Sequence, residues 1–509
     1  MASLEGVTQH LPAIIVAVPL LAALAVTALW WFSDKLCYPL SVGAGLIALA
    51  ASASLFQQVL SYGVVEYRLG GWPPPLGIVF RVDHLNSLIL VAVALVSFLN
   101  LAGSRVAAEK EFQEKVGAFY PLYLLFTTGL FGILITGDAF NLYVLLEIAS
   151  LTGYALIGIG SGRASLSGLN YVFMGTIGAT LYLFGVGCLY VITGSLNMVD
   201  IAAILPDLWP SKVIVLAFLL CLGGLFVKMA LFPLHGWLPN AYTYSPSVVS
   251  SLVAPLTTKV MIYAMVRVTL TIFTFDFAFN KISLQVPLVW LAVLAIIVGS
   301  LMALAQQRLK KMLAFIVVAE VGYMVGGFWL GNRAGMSGAV LHIINDALMT
   351  LCVFMAAGAL SFRTGDDRLT SLKGMFRKMP LTMGAMVLGG LSLIGVPPTC
   401  GFFSKWYLIS GGIEAGHYGF VAALIISSLV NIVLFFRCFE IAYFEPFSGE
   451  AGHQPGPMER DDRPSTVVEA PVDMLITLLT TAVLLIVLGI FSGQIVTRVI
   501  HQVIPVLTG

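Results

Sequence analysis

The chain has 509 residues, of which 59% are hydrophobic and only 10% are charged, and its formal net charge is +1. Soluble domains carry about 25% charged residues, so this composition excludes an ordinary soluble protein and predicts a polytopic membrane protein. The near-zero net charge gives no support for a nucleic-acid partner.

The six cysteines stand singly in mostly apolar segments. They form neither a Cys-x-x-Cys pair nor a cluster with histidine, which argues against an iron–sulfur or zinc site. We therefore expect neither a metal nor a cofactor. Without redox or hydrolytic ligands the chain would have no catalytic centre of its own, and it could serve an enzyme at most as a translocating subunit.

Apolar windows of about 20 residues, the length that crosses a bilayer as a helix, recur fourteen times along the chain. The first is too long for a cleaved signal and lacks a basic segment before it, so we expect it to be a span. An all-α membrane fold is therefore predicted. The predicted spans, numbered 1 to 14, cover residues 11–32, 38–60, 85–104, 118–136, 140–160, 168–193, 213–238, 246–272, 286–305, 311–330, 336–361, 380–411, 417–443 and 470–492.

The segment between spans 2 and 3, residues 61–84, differs from the other connections. It holds two runs of alternating apolar and polar residues around Gly-Gly-Trp-Pro-Pro-Pro. Alternation on both sides of a turn-forming segment predicts a small β-hairpin at the surface.

The basic residues in the loops predict the orientation, because cytoplasmic loops carry an excess of Lys and Arg. Outside the spans, loops after odd-numbered spans hold 15 of these residues and the opposite side holds six. The odd-numbered loops are therefore predicted to be cytoplasmic. Both termini and the hairpin would then lie on the outer side of the cell's inner (plasma) membrane.

Two predicted spans contain residues that interrupt a helix. Span 7 runs through Pro233, and span 12 contains Pro397 and Pro398. Proline cannot continue a helix without freeing a carbonyl group. Unwound backbone is tolerated at membrane depth only where it is buried in protein or lines a hydrated cavity. We therefore expect discontinuous helices at spans 7 and 12.

Seven ionisable side chains inside predicted spans are candidate functional groups, because a charge within a span is costly and indicates function by default. His342, Asp346 and Thr350 are spaced four apart and share one helix face, which suggests a proton relay. A lysine that reaches the interface, a carboxylate held for packing and a core histidine remain alternatives. Arg267 and Arg437 lie near span ends and are predicted to be interfacial anchors. The predicted relay comprises Glu147, Lys228, Lys259, Glu320, His342, Asp346 and Lys405.

The charged residues indicate an internal repeat. Glu147 lies in the second and Lys228 in the broken fourth member of spans 4–8, while Glu320 and Lys405 take the same places in spans 9–13. Units of five spans must be inverted relative to each other, and inverted repeats with matching broken helices indicate a transport path. The predicted organisation is residues 1–117 with spans 1–3 and the hairpin, 118–272 and 286–443 as the inverted repeats, 444–469 as a cytoplasmic loop, and 470–509 as the last span and C-terminus.

Six stretches between residues 70 and 440 carry a family resemblance. They are GDAFNLYVLLE, YVITGSLNM, KMALFPLHGWLPNAY, SPSVVSSLVAPLTTK, LKKMLAF and GVPPTCGFFSKWYL. Together they resemble the proton-conducting antiporter-like subunits shared by Mrp-type Na+/H+ antiporters, respiratory complex I and membrane-bound hydrogenases. The chain looks most similar to the D subunit of Mrp antiporters, partly through the hairpin sequence LGGWPPPLGIVFRVDHLN.

The resemblance implies roles at matching positions. Glu147 and Lys228 would form the switching carboxylate–lysine pair of the first half-channel, and Lys259 would be the next step toward the centre. Lys405 would be the terminal proton-handling residue of the second half. His235 matches the motif histidine after the broken helix.

The eleventh span departs from the family pattern, which reads His, His and Lys at intervals of four. This chain has His342, Asp346 and Thr350 instead. Glu320 also stands where a neutral Gln or Ser is expected. The second half of the relay is therefore predicted to be more anionic than in the family, a change that could favour a bound cation.

The resemblance implies a proton-translocating subunit of a multi-subunit Na+/H+ antiporter, with other membrane subunits as partners. One alternative is the proton-pumping arm of a redox-driven complex, either a complex I-like NADH dehydrogenase or a membrane-bound hydrogenase. Another is the membrane partner in an inorganic-carbon uptake complex.

Overall fold

The computed structural model describes residues 8–445 and 469–504, so most of the predicted loop at 444–469 lies outside the described residues. Within the described part, twelve helices are long and apolar enough to cross a membrane. The two other predicted spans, 7 and 12, are each divided into shorter helices. The continuous spans are span 1 (Leu11–Trp30), 2 (Asp34–Tyr62), 3 (His84–Ala102), 4 (Arg105–Ile135), 5 (Ala139–Gly158), 6 (Ala164–Thr193), 8 (Ser247–Ile272), 9 (Gln285–Leu304), 10 (Leu309–Trp329), 11 (Arg333–Thr364), 13 (Tyr418–Phe444) and 14 (Val472–Val503).

Span 7 is discontinuous, as predicted, but its first helix ends earlier than the sequence suggested. It consists of Lys212–Lys228 and Leu238–Tyr244, whereas the prediction ran to residue 238. The chain leaves the helix at Ala230, which has a positive φ of 59°. The indole of Trp237 folds back and donates a hydrogen bond to the Val227 carbonyl at 3.1 Å, so one carbonyl at the helix end is satisfied from within the break.

Span 12 is also broken, into Pro380–Ile394 and Cys400–Glu414. Gly395 ends the first helix with a φ of +94°, a conformation that glycine adopts without steric cost. The two halves then pass very close to each other. A Cβ on Gly401 would lie only 1.9 Å from the Ser392 carbonyl oxygen, so this crossing requires glycine.

Three spans form the centre of the bundle. The apolar windows of spans 8, 10 and 11 are buried throughout, whereas spans 1, 2 and 6 are largely exposed on their outer faces. Exposed apolar side chains on those outer spans are expected where a helix faces lipid. The buried spans are the ones that carry Lys259, Glu320 and the eleventh-span residues, so these charged groups lie in the interior of the protein.

The predicted hairpin is confirmed. Strands β1 (Val65–Arg68) and β2 (Val79–Val82) pair in antiparallel register, with Val65 opposite Val82. Strand β2 also binds the chain just after span 4. There Gly137 donates its backbone N–H to the Val79 carbonyl at 2.9 Å.

Several short elements were not predicted. The helix Met198–Leu208 lies between spans 6 and 7 and is capped by the side chain of Asn197. A π-helical segment, Asp276–Lys281, precedes span 9. The 3-10 segment Leu369–Leu372 and the helix Met375–Lys378 connect spans 11 and 12.

Candidate functional site

Lys228, the last residue of the first half of span 7, is held by three residues of span 5. Its Nζ donates to Ser150 Oγ at 2.7 Å and to Tyr154 OH at 3.3 Å, and lies 3.4 Å from Glu147 Oε1. The lysine side chain is 2% exposed and that of Glu147 is 23% exposed. Because the three partners lie three and four residues apart, they share one helix face. The structure thus joins the predicted pair and adds two hydroxyl groups to it.

Span 6 provides the space that this arrangement needs. A Cβ on Gly175 would lie 1.7 Å from the Tyr154 hydroxyl oxygen, and a Cβ on Gly178 would lie 3.2 Å from Cγ of Lys228. Gly175 therefore determines where the Tyr154 hydroxyl can lie.

A second ion pair lies in the centre of the bundle, between spans 8 and 11. Lys259 Nζ lies 2.9 Å from Asp346 Oδ2, and both side chains are fully buried. Thr350 binds both partners, since its Oγ1 donates to Asp346 Oδ1 at 2.7 Å and lies 3.3 Å from Lys259 Nζ. Lys259 also donates to the carbonyl of Ala254 at 3.3 Å. Asp346 and Thr350, the two residues of span 11 that differ from the pattern of the resembling family, therefore bind the Lys259 ammonium group.

Glu320 lies beside this pair in span 10 and is fully buried. Neither of its carboxylate oxygens receives a hydrogen bond from a donor group among the described residues. Its carboxyl group is within interaction distance of Asp346, and its charge also interacts with those of Lys259 and Lys405. Two adjacent carboxylates repel each other unless a proton or a cation lies between them.

Lys405, in the second half of span 12, binds the end of the first half. Its Nζ donates to the carbonyls of Leu393 at 2.6 Å and Ile394 at 3.2 Å, and to Ser428 Oγ at 3.1 Å. These carbonyls have no partner within their own helix because the helix ends there, and a cation is favoured at that end of a helix. The break and the lysine therefore form one structure: the chain unwinds through Pro397 and Pro398 and returns so that Lys405 binds the carbonyls at the end of the first half.

His342 does not pair with Asp346 in the way that their spacing suggested. Its Nδ1 lies 2.8 Å from Ser404 Oγ, next to Lys405 in sequence. Asp346 instead faces Lys259. His342 and Asp346 share a helix face, but their nearest partners belong to different spans.

Two other residues named from the sequence, His235 and Arg267, lie next to groups of other spans. His235 is half-buried in the break of span 7, where its ring lies 6.3 Å from that of Phe315 in span 10. Arg267, predicted as an interfacial anchor, is buried and forms two hydrogen bonds with Asp83 at 2.6 and 2.9 Å. Its environment is therefore an internal ion pair.

A small cavity of about 20 Å³ lies between spans 3, 4, 8, 11 and 14, which is room for a water molecule. Asn100 donates to Ser251 Oγ there at 2.8 Å, while its Oδ1 has no partner among the described residues. At the nearby start of span 8, Lys310 Nζ donates to Ser247 Oγ at 2.8 Å. The sequence analysis selected residues by charge. It therefore missed the neutral side chains of Asn100, Ser247 and Ser251, and likewise those of Ser150, Tyr154 and Ser404.

Known proteins are similar to this chain in both sequence and fold. A family described as NADH:quinone oxidoreductase/Mrp antiporter, TM, matches residues 136–431. The chain is 43% identical over 507 residues to NADH-quinone oxidoreductase subunit N of Desulforudis audaxviator (strain MP104C), covering 98% of this chain and 99% of that protein. It is 31% identical over 441 residues to the D subunit of a Na(+)/H(+) antiporter from Bacillus subtilis (strain 168), covering 86% of this chain and 87% of that protein.

Among solved structures, one similar chain belongs to the membrane-bound sulfane sulfur reductase, an archaeal respiratory membrane complex. The TM-score is 0.87 and the sequence identity is 30%, with 97% of each chain covered.

Proposed function

Because the chain belongs to the family of membrane subunits described as NADH:quinone oxidoreductase/Mrp antiporter, we propose that it is the proton-translocating subunit of a multi-subunit Na+/H+ antiporter. We place it in the plasma membrane, with both termini outside and with other membrane subunits as partners. The observation that carries the proposal is the set of buried lysines, each bound to oxygen atoms of another helix or of the other half of a broken one.

The first ion pair would act as a switch. At a separation near 4 Å and an effective dielectric constant near 20, a carboxylate and an ammonium group attract each other by about 4 kcal/mol. Opening the Glu147–Lys228 contact removes that attraction, so Lys228 releases its proton more readily toward the centre. Closing the contact makes the lysine a better proton acceptor again. The cycle requires movement of side chains and no redox group.

The central groups would receive that proton. Lys259 faces Asp346, and Glu320 lies beside the Asp346 carboxyl group with no donor of its own among the described residues. A proton shared by the two carboxyl groups would relieve their repulsion. Lys405 would be the last group, and releasing its proton would free the carbonyls of the broken helix. In this proposal spans 4–8 and 9–13 are the two inverted units.

The proposal is tested by replacing the first and last groups of the relay. We expect Glu147→Ala and Lys405→Ala each to abolish proton-coupled cation transport while leaving the protein in the membrane. The measurement is antiport driven by a pH gradient in everted membrane vesicles, at matched protein levels. Glu66→Ala, in the exposed hairpin, is the control. Wild-type transport rates in either relay variant would overturn the proposal.

A redox-driven complex is the second candidate function. The 43% identity to NADH-quinone oxidoreductase subunit N over nearly the full length of both chains favours it. The candidates differ in what accompanies the chain and in what drives the protons. We would purify the chain from its native membrane and identify the subunits that copurify. Redox subunits, together with proton pumping that requires an electron donor, would select the second candidate. Sodium-dependent proton movement without a donor would select the first.

A further inference from the structure

Three arginines line one cavity of about 560 Å³ at an end of the bundle. Arg308 precedes span 10, Arg368 precedes span 12, and Arg437 lies in the last third of span 13. All three belong to the membrane face that carries the loops after odd-numbered spans. The remaining lining residues are Gln307, Leu369, Thr370 and Ile441.

Backbone pairing fixes two of the arginines side by side. Leu309 donates its N–H to the Asp367 carbonyl at 2.7 Å, and Leu369 donates to the Gln307 carbonyl at 2.9 Å. These bonds form a short antiparallel bridge in which Arg308 is opposite Arg368. The two loops therefore hold the backbones of these arginines opposite each other, and both side chains line the same cavity, where a bound anion would offset their like charges.

The positive charge of the cavity is incompletely neutralised by the protein. Arg308 Nη1 lies 3.4 Å from Asp367, and Arg368 Nε lies 3.9 Å from Asp366. In the described part of the chain no carboxylate lies within 4 Å of Arg437, whose neighbour Glu440 is one helix turn away.

Arg437 also faces the side of span 13 that is exposed to lipid. Val433 and Phe436 next to it are exposed apolar residues. Arg437 lies seven residues before Phe444, where span 13 ends, which is about 10 Å along the helix. An unpaired guanidinium at the edge of the apolar layer is costly. A phosphate group from the membrane would neutralise it there.

We propose that Arg308, Arg368 and Arg437 bind the phosphodiester headgroup of an anionic membrane phospholipid. Guanidinium groups bind phosphate oxygens in pairs of parallel hydrogen bonds, and basic pockets between membrane helices on this kind of face are suited to anionic headgroups. Leu369 and Ile441 provide apolar contacts for the lipid beyond its phosphate, which a free phosphate ion would not use. The site connects the loops before spans 10 and 12 to span 13.

The test measures retained lipid. We would purify the wild-type chain from its native membrane in a mild detergent, with the subunits that accompany it, and count phospholipids per chain by native mass spectrometry. We expect one tightly retained anionic phospholipid. Each arginine near a membrane surface contributes about fivefold to the binding of an anionic lipid, so Arg437→Gln should lower retention about fivefold and the triple Gln variant should abolish it. The control is Arg333→Gln, which removes an exposed arginine at the start of span 11.

A second experiment separates a lipid from a free anion. Delipidated protein is offered phosphatidylglycerol in one sample, and phosphatidylcholine with inorganic phosphate in another. Selective rebinding of phosphatidylglycerol supports the proposal. Binding of inorganic phosphate without lipid, or equal retention by wild type and Arg437→Gln, overturns it. Arg437 is exposed and unpaired with any carboxylate of the described chain, so its single variant is expected to fold even if the triple variant does not.

Discussion

A glycine in span 6 sets the position of the tyrosine that contacts Lys228. A Cβ at Gly175 would lie 1.7 Å from the Tyr154 hydroxyl oxygen, a distance that real atoms do not adopt. The tyrosine must therefore move if a methyl group is added. Lys228 would then lose one of its three oxygen contacts, and the geometry of the Glu147 pair would change with it.

We expect Gly175→Ala to lower the initial rate of proton-coupled transport about tenfold. A hydrogen bond to a charged group is worth about 1.5 to 3 kcal/mol, and about 1.4 kcal/mol corresponds to a factor of ten. Gly187→Ala, in the same span, is the matched control because a Cβ there would meet nothing within 4 Å. Rates are measured in vesicles at equal protein levels. Equal rates for the two variants would show that Tyr154 does not position Lys228.

The pair Lys259–Asp346 allows its structural and transport roles to be separated. Removing one partner of a buried ion pair costs about 3 to 5 kcal/mol, because a charge remains without a counterion. Asp346→Ala should therefore lower the thermal unfolding midpoint clearly. In the double variant Asp346→Ala, Lys259→Met the uncompensated charge is gone, so stability should largely return.

Transport should stay lost in that double variant, since both titratable groups are absent. The unfolding midpoint is measured in detergent and transport in vesicles, on the same preparations. Recovery of transport together with stability would contradict a proton-handling role for the pair. Failure of both to recover would indicate that the central ion pair is required for packing.

The partners of these residues show what spacing along one chain can and cannot predict. The family resemblance implied that Glu147 and Lys228 form a pair, and their side chains are adjacent in the structure. His342 and Asp346 are one turn apart, yet Ser404 and Lys259 from other spans are their closest partners. Helical spacing determines which residues share a face. It does not determine which span lies opposite that face.

At the scale of elements, the break of span 12 depends on its neighbour, span 14. A Cβ on Gly489 would lie 2.0 Å from the Pro398 carbonyl oxygen, so the unwound segment packs directly against the last span. The same segment links, along the chain, the helix that ends with the carbonyls of Leu393 and Ile394 to the helix that carries Lys405, which binds them. Displacing the segment would therefore change the hydrogen bonds of the lysine.

We expect Gly489→Ala to reduce both the unfolding midpoint and the transport rate, because a methyl group forced into a packed contact costs about 1 to 3 kcal/mol. Gly493→Ala, one turn later in the same span, has open space at the Cβ position and should match the wild type. The two variants are compared by thermal unfolding and by vesicle transport. Indistinguishable behaviour would show that the break tolerates displacement.

Prolines predicted that spans 7 and 12 are broken, and the structure confirms both breaks. The positions of the helix ends are harder to predict, since Lys228 is the last residue of the first helix of span 7, well before Pro233. The hydrogen bond from Trp237 to Val227 and the stacking of Trp237 on Tyr171, with ring centroids 4.0 Å apart, stabilise this geometry. Such contacts depend on tertiary packing, and no local pattern predicts them.

At the scale of the whole molecule, one buried ion pair joins the N-terminal spans to the central bundle. Asp83 caps the start of span 3, and Arg267 near the end of span 8 binds both of its carboxylate oxygens. Arg267 also donates to Tyr263 OH, which itself donates to the Leu134 carbonyl of span 4. Three spans that are distant in sequence are thus connected through one guanidinium group.

This connection should make stability depend on pH. Burial alone would raise the pKa of Asp83, but the Arg267 guanidinium and the amides of Asn86 and Leu85 outweigh it and hold that pKa below its usual value. A carboxyl group whose pKa is depressed by folding stabilises the protein above its unfolded-state pKa, near 4, and that contribution is lost as the pH falls through the folded-state value.

Asp83→Asn keeps a capping side chain but removes the charge, so we expect it to lower stability at pH 7 by about 3 to 5 kcal/mol. The difference from wild type should shrink as the pH falls below about 4, because the wild-type carboxylate is then protonated as well. Thermal unfolding in detergent across this pH range measures the difference. Glu66→Gln, which removes the half-exposed partner of Arg81, should cost at most about 1 kcal/mol. A difference between wild type and Asp83→Asn that stays constant with pH would mean that the carboxylate charge does not hold the N-terminal spans to span 8.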